Sequence, residues 1–172
     1  MAVEFHDFSM QVKAALNDAA KAYLYEAGGE LEAQVKRNTP TGGAYFTQQK
    51  NAWTYKVDAE KGEAVVGSPL EAALWTEFGT GEYSISPKGG RKGYWVYVKD
   101  SNTNLSSSYA YKGGKQYTLQ EAKGIVAMMR ADGIEAYYTK GQSPKRPLYK
   151  AFTSLKPALI KRAEQVLKGK LK

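Results

Sequence analysis

The sequence predicts an α+β fold, and three observations carry that prediction. Apolar residues recur every three or four positions near both ends of the chain, which is the spacing of one helix face. Between them lie short β-branched and aromatic runs bounded by turn residues, which read as strands. Thr118-Leu119-Gln120-Glu121 forms a capping box that starts another helix. The expected architecture is a long N-terminal helix and a C-terminal helix packed on a small, mostly antiparallel β-sheet, with an additional helix near 118–132. At 172 residues the chain is predicted as a single α+β domain spanning 1–172, with mobile loops at 38–52 and 100–117.

From Ser9 to Arg37, Val12, Leu16, Ala19, Tyr23, Ala27, Leu31 and Val35 mark one helical face. Gly28-Gly29 in its middle costs roughly 1 kcal/mol per glycine against alanine, so a kink or a close contact is expected there. Asn38-Thr39-Pro40-Thr41-Gly42-Gly43 ends the helix, because the residue before proline is pushed out of helical geometry. Trp53, Tyr55 and Val57 alternate with polar residues, and Ala64-Val65-Val66-Gly67 follows the turn at Asp58–Gly62, giving a hairpin. Leu70 to Phe78 reads as a short helix, with Pro69 near its first turn and Gly79 just past its end. Tyr94-Trp95-Val96-Tyr97-Val98 is a strand, and Asp100 to Gln116 has no period. Leu119, Ala122, Val126 and Met129 share one side of the helix that the capping box starts, with Gly133 as its C-cap. Ile134 to Tyr138 reads as a strand that pairs with an earlier one. Leu148, Phe152, Leu155, Leu159, Ala163 and Val166 make a C-terminal amphipathic helix that Pro157 is expected to kink or restart.

Composition narrows the function classes. No run approaches the roughly 18 apolar residues of a membrane span. The first residues carry acids where a secretory leader would carry bases, so the chain is expected to stay in the compartment where it is made. With no cysteine and one histidine, His6, the common zinc sites, thiolate nucleophiles and disulfides are not available. No Gly-X-Ser-X-Gly motif occurs, and a catalytic triad would have to recruit His6. Gly79-Thr80-Gly81, Gly89-Gly90 and Gly113-Gly114-Lys115 lack the phosphate-loop spacing and read as turns. Glu71 and Glu77 stand six apart, too far round a helix to act as a pair. No enzyme, cofactor or metal is therefore expected.

The net charge of +8 is unevenly placed. Residues 1–86 carry 7 Lys and Arg against 12 Asp and Glu, a balance of −5, whereas residues 87–172 carry 18 against 5, a balance of +13. Three readings follow: nucleic-acid binding through the basic half, head-to-tail stacking with copies or an oppositely charged partner, or halves that intermix in the fold. Tyr83, Tyr94, Trp95, Tyr97, Tyr109, Tyr111 and Tyr117 interleave with Lys88, Arg91, Lys92, Lys99, Lys112 and Lys115. Single-strand binders use such a mixture, and so do protein interfaces. A basic nucleic-acid-binding domain is thus the alternative function.

Ala72-Ala73-Leu74-Trp75-Thr76-Glu77-Phe78-Gly79-Thr80-Gly81 and Pro144-Lys145-Arg146-Pro147-Leu148-Tyr149-Lys150-Ala151-Phe152 are the two most distinctive segments. The first suits a corner where two backbones approach closely. In order with the long N-terminal helix, Thr39-Pro40-Thr41-Gly42 and the hairpin, they resemble the head–tail joining or tail-completion proteins of long-tailed bacteriophages. Gly43-Ala44-Tyr45-Phe46-Thr47 departs from the Leu-Arg-Ser type stretch usual there, and the 91–141 region is longer than a minimal member needs. The resemblance implies a virion subunit of the tail or neck, made in the bacterial host cytoplasm. It would form a homo-oligomeric ring, a hexamer, at the head-proximal end of the tail. Tail-tube and head-connector proteins would be its partners, with double-stranded DNA passing through without sequence-specific binding and no membrane involved. Trp75, Glu77, Phe78, Gly79, Thr80, Arg91, Arg146 and Pro147 are the candidate structural and assembly residues, with Trp75 and Phe78 as core anchors and Glu77 bonding neighbouring backbone amides.

Overall fold

In the computed structural model, which describes residues 9–87, 89–99, 106–107 and 116–170, the apolar period at the N-terminus becomes one 30-residue helix, α1 (Ser9–Asn38). It is followed by α2 (Gly43–Ala52), β1 (Thr54–Asp58), β2 (Glu63–Gly67) and α3 (Glu71–Phe78). Then come β3 (Trp95–Lys99), β4 (Ser106–Ser107), α4 (Leu119–Ala131), β5 (Ala136–Thr139) and α5 (Pro147–Lys170). The α+β class and the two long terminal helices stand as predicted. His6 and most of the segment 100–117 lie outside the described residues.

Contacts group the chain into two compact units, the described residues of Met1–Ala73 with Pro147–Lys172, and Leu74–Arg146. The strands correspondingly form two antiparallel sheets where the sequence suggested one. In the first unit β1 and β2 form a hairpin with Thr54 opposite Gly67 and Asp58 opposite Glu63. The Asp58 carboxylate accepts from the Lys61 amide at 3.1 Å and closes the turn. Helix α1 runs over this hairpin, and Gly28 lies against the Tyr55 ring: a Cβ there would stand 2.5 Å from ring atom Cδ2. A close contact is therefore what the glycine serves. Val35, Trp53, Ala73 and Ala151 form the buried core of this unit, joined by Leu31, Val66 and Leu148.

Helices α1 and α5 pack along each other. The Tyr23 hydroxyl of α1 donates to the Leu159 carbonyl of α5 at 2.7 Å, and the Arg162 guanidinium reaches Glu26 at 2.6 Å and Glu30 at 2.8 Å. Acidic and basic halves of the sequence thus meet here within one unit, which is the intermixing reading of the charge asymmetry. These pairs are partly exposed, so each contributes no more than about 1 kcal/mol. Helix α5 is continuous through Pro157, which has no amide to serve the Thr153 carbonyl.

Residues 43–52, expected within a loop, form helix α2. Its one buried side chain is the polar Gln49, so it offers no apolar stripe by which a period could be recognised.

In the second unit β3 is central, flanked by β4 and β5. Val96 lies opposite Tyr138 and Val98 opposite Ala136, which turns those four residues toward one face; Trp95, Tyr97, Tyr137 and Thr139 occupy the other. Helix α4 covers the first face, burying Val96 and Ala136 against Ala122, Val126 and Met129. Each such side chain contributes roughly 1.5–3 kcal/mol for a Val- or Met-sized group. The capping box is formed: Thr118 Oγ1 accepts from the Glu121 amide at 3.3 Å, and the Glu121 carboxylate accepts from the Thr118 amide at 2.7 Å.

Candidate assembly surface

Helix α3 is eight residues long, and its burial follows the helical period. Ala73, Thr76 and Glu77 point inward, at spacings of three and one, with Glu77 only 8% exposed. That orientation turns Glu71, Leu74, Trp75 and Phe78 outward together, since positions i, i+3, i+4 and i+7 share a face. Trp75 and Phe78 are 45% and 40% exposed, so they are surface residues and not the core anchors the sequence suggested. The core position in this segment belongs to the smaller Ala73, which is 5% exposed.

Gly79, at φ 73°, ends the helix while its amide donates to the Trp75 carbonyl at 2.8 Å. From there two backbones run close together. The Thr80 amide donates to the Gln142 carbonyl and the Gln142 amide to Thr80 Oγ1, both at 2.9 Å. The Glu82 amide donates to the Lys140 carbonyl at 2.9 Å. Gly81 and Gly141 permit this approach: a Cβ on either would collide with the opposing backbone, Gly141 with the Thr80 carbonyl and Gly81 with that of Lys140. Behind them the Thr76 carbonyl accepts from the Lys145 amide at 2.8 Å and the Arg146 amide at 3.3 Å. Arg146 is held at φ 56°, the one described non-glycine residue in the left-handed region. Trp75, Glu77, Phe78, Gly79, Thr80 and Arg146 therefore belong to one fixed corner of the second unit. Pro147 belongs to the first unit, where it is fully buried at the first position of α5 and its carbonyl accepts from Asn38 Nδ2 at 3.3 Å.

Cations of the second unit lie over aromatic rings. The Arg91 guanidinium stands 5.0 Å from the centre of the Trp95 ring, Arg130 5.3 Å from Tyr137, and the Lys140 ammonium 5.2 Å from Tyr83. Lys140 also pairs with Glu82 at 3.6 Å, and the Tyr83 hydroxyl followed by surrounding negative charge holds its ammonium above the ordinary lysine range. Tyr97 stacks on Tyr137 and Tyr94 meets Tyr138 edge to face. Lys88, Tyr109, Tyr111, Lys112 and Lys115 lie outside the described residues.

A second apolar surface escaped the sequence reading. On α5, Phe152, Ile160 and Leu167 are exposed and line a groove of ≈ 350 Å³ with Tyr23 and Leu159. Phe152, expected on the core-facing side, is exposed; Leu148 and Ala151 pack into the core of the first unit. The signal was there in the spacing 152, 160, 167, a second stripe beside the first.

Among the described residues no group of three or more His, Asp or Glu is placed to hold a metal, and no helix is long and apolar enough to cross a membrane. Residues 4–79 match the sequence model of a family described as "Bacteriophage HK97-gp10, putative tail-component". No curated protein and no solved structure matches the chain. The matched span covers α1, α2, the β1–β2 hairpin and α3, ending at Gly79. It supports a structural component of a phage tail.

Proposed function

We propose that this protein is a head–tail joining or tail-completion subunit, one that assembles into a ring at the head-proximal end of a phage tail. The observation that carries the reading is the match of residues 4–79 to a phage tail-component family. The ring, a hexamer by the resemblance, docks on tail-tube and head-connector proteins and leaves a passage for double-stranded DNA without reading its sequence. Its place is the neck of the virion, after synthesis in the host cytoplasm.

The exposed apolar residues support an assembly role, because a subunit that ends in contact with neighbours keeps such surface open until they arrive. In this reading Trp75 and Phe78 make contact with partners. Glu77, Gly79, Thr80 and Arg146 hold the corner that presents them, Arg91 fixes Trp95, and Pro147 starts the helix that follows. The test is the mass of the purified protein in solution across a concentration series, by light scattering at low and moderate salt. A ring-sized particle, or a monomer converting to one, is the expected result. A strict monomer that instead binds DNA with a steep salt dependence would overturn the reading in favour of a basic nucleic-acid-binding domain.

A further inference from the structure

We infer that the subunits join head to tail, with the outer stripe of α3 on one copy seated on the outer stripe of α5 on the next. The inference rests on the self-assembling reading above and names the surfaces that meet. On α3 the stripe consists of Glu71, Leu74, Trp75 and Phe78, and the helix contains no basic residue. On α5 it consists of Phe152, Lys156, Ile160 and Leu167, whose positions i, i+4, i+8 and i+15 lie along one side. Leu74, Trp75, Phe152, Ile160 and Leu167 are each between 45% and 57% exposed, and they fall into two contiguous stripes, which is what separates them from singly scattered surface residues. The Lys156 ammonium lies 5.9 Å from the Phe152 ring centre, inside the stripe. The α5 groove of ≈ 350 Å³ is at the small end of clefts that hold compact ligands, roughly 300–1,000 Å³, and has room for one or two large side chains.

Charge decides which surface meets which. Packing α3 on α3 brings Glu71 toward Glu71, and packing α5 on α5 brings Lys156 toward Lys156. Packing α3 on α5 brings Glu71 toward Lys156 and leaves no like pair at the seam. Glu164, the one acid lining the groove, is already paired with Lys168 at 3.7 Å. A short helix laid in a groove with anchors at i, i+3, i+4 and i+7 is a familiar recognition mode. Because the two surfaces differ, the contact is heterologous, the kind that propagates from copy to copy and closes into a ring when the rotation allows.

The experiment uses the whole chain with one face disabled at a time, Trp75→Asp on α3 and Ile160→Asp on α5. Both positions are exposed, and far-UV circular dichroism checks that each variant is folded; Leu74→Asp and Leu167→Asp are the second pair. The wild type is expected to self-associate, and each variant alone to have its apparent Kd raised at least about tenfold. A 1:1 mixture of the two variants is expected to form dimers and nothing larger, since it contains one intact α3–α5 contact per pair. Variants that assemble like the wild type overturn the inference and leave the ring reading standing. A mixture that stays monomeric overturns the head-to-tail pairing. A wild type monomeric at every concentration overturns the inference, and one that also binds DNA with a steep salt dependence overturns the ring reading with it.

Discussion

The Trp53 indole nitrogen donates to the Thr39 hydroxyl at 3.0 Å, and that hydroxyl in turn donates to the Val35 carbonyl at 2.9 Å, all within the buried core of the first unit. One hydroxyl thus ends α1 and fixes the ring that begins the hairpin. Thr39→Val keeps the shape and removes both hydrogen bonds, leaving a buried indole N–H unsatisfied. The expected cost is about 1–3 kcal/mol in denaturant unfolding. A change below about 0.5 kcal/mol would show that the bond adds nothing to stability.

Gly141 and Gly133 both have positive φ, at 130° and 79°, yet their surroundings differ. A Cβ at Gly133 meets nothing within 4 Å, whereas one at Gly141 drives into the Thr80 carbonyl. Gly133→Ala should cost about 1–2 kcal/mol from backbone strain alone. Gly141→Ala should cost more than about 3 kcal/mol, because strain and overpacking act together. Comparable melting temperatures for the two variants would contradict the close approach of the backbones.

The capping box gives a smaller, local effect. Thr118→Ala removes the acceptor for the Glu121 amide and should lower stability by about 1 kcal/mol. Hydrogen exchange at the first turn of α4 should quicken by a matching factor while the hairpin of the first unit stays protected. Uniform quickening across both units would count against a local cap.

Tyr23 supplies a pH test. Desolvation is the largest influence on its hydroxyl, with Glu26 and Glu30 adding to it and Arg162 opposing, and the net result is a pKa above the usual 10.0. A raised folded-state pKa means that the contribution is fully present below pH 10 and is lost as pH rises through the folded value. Tyr23→Phe should therefore cost about 1 kcal/mol at neutral pH, through the lost bond to Leu159, and lose less stability than the wild type as the pH rises above 10. Parallel stability curves for the two proteins across that range would refute the assignment.

The helices and strands were legible where one side of an element is apolar and the other wet. The 118–121 capping box, the α1 period and the 53–67 hairpin each carry their instruction within a few residues. Helix α2 was not legible, because Gln49 is what it buries. The corner around Gly79 was half legible: the glycines announced a close approach, but its partner, Lys140–Gln142, lies about sixty residues away, and the lone Gly141 in it does not say which segment it meets. The orientation of Trp75 and Phe78 was not legible, because large aromatics are more often inside, while here Ala73, Thr76 and Glu77 take the buried side of α3.

By itself the sequence determined the class, the element order, the absence of cysteine chemistry and the resemblance that residues 4–79 support, because these depend on local spacing and on residue identity. Only the tertiary structure decided that the strands separate into two sheets, that Glu26 and Glu30 of α1 pair with Arg162 of the basic α5, and that α3 and α5 each keep an apolar stripe in water. The reason is physical: an amphipathic pattern states that a helix has a face, but which face meets a neighbour is settled by the competition among all the surfaces that have to be buried at once.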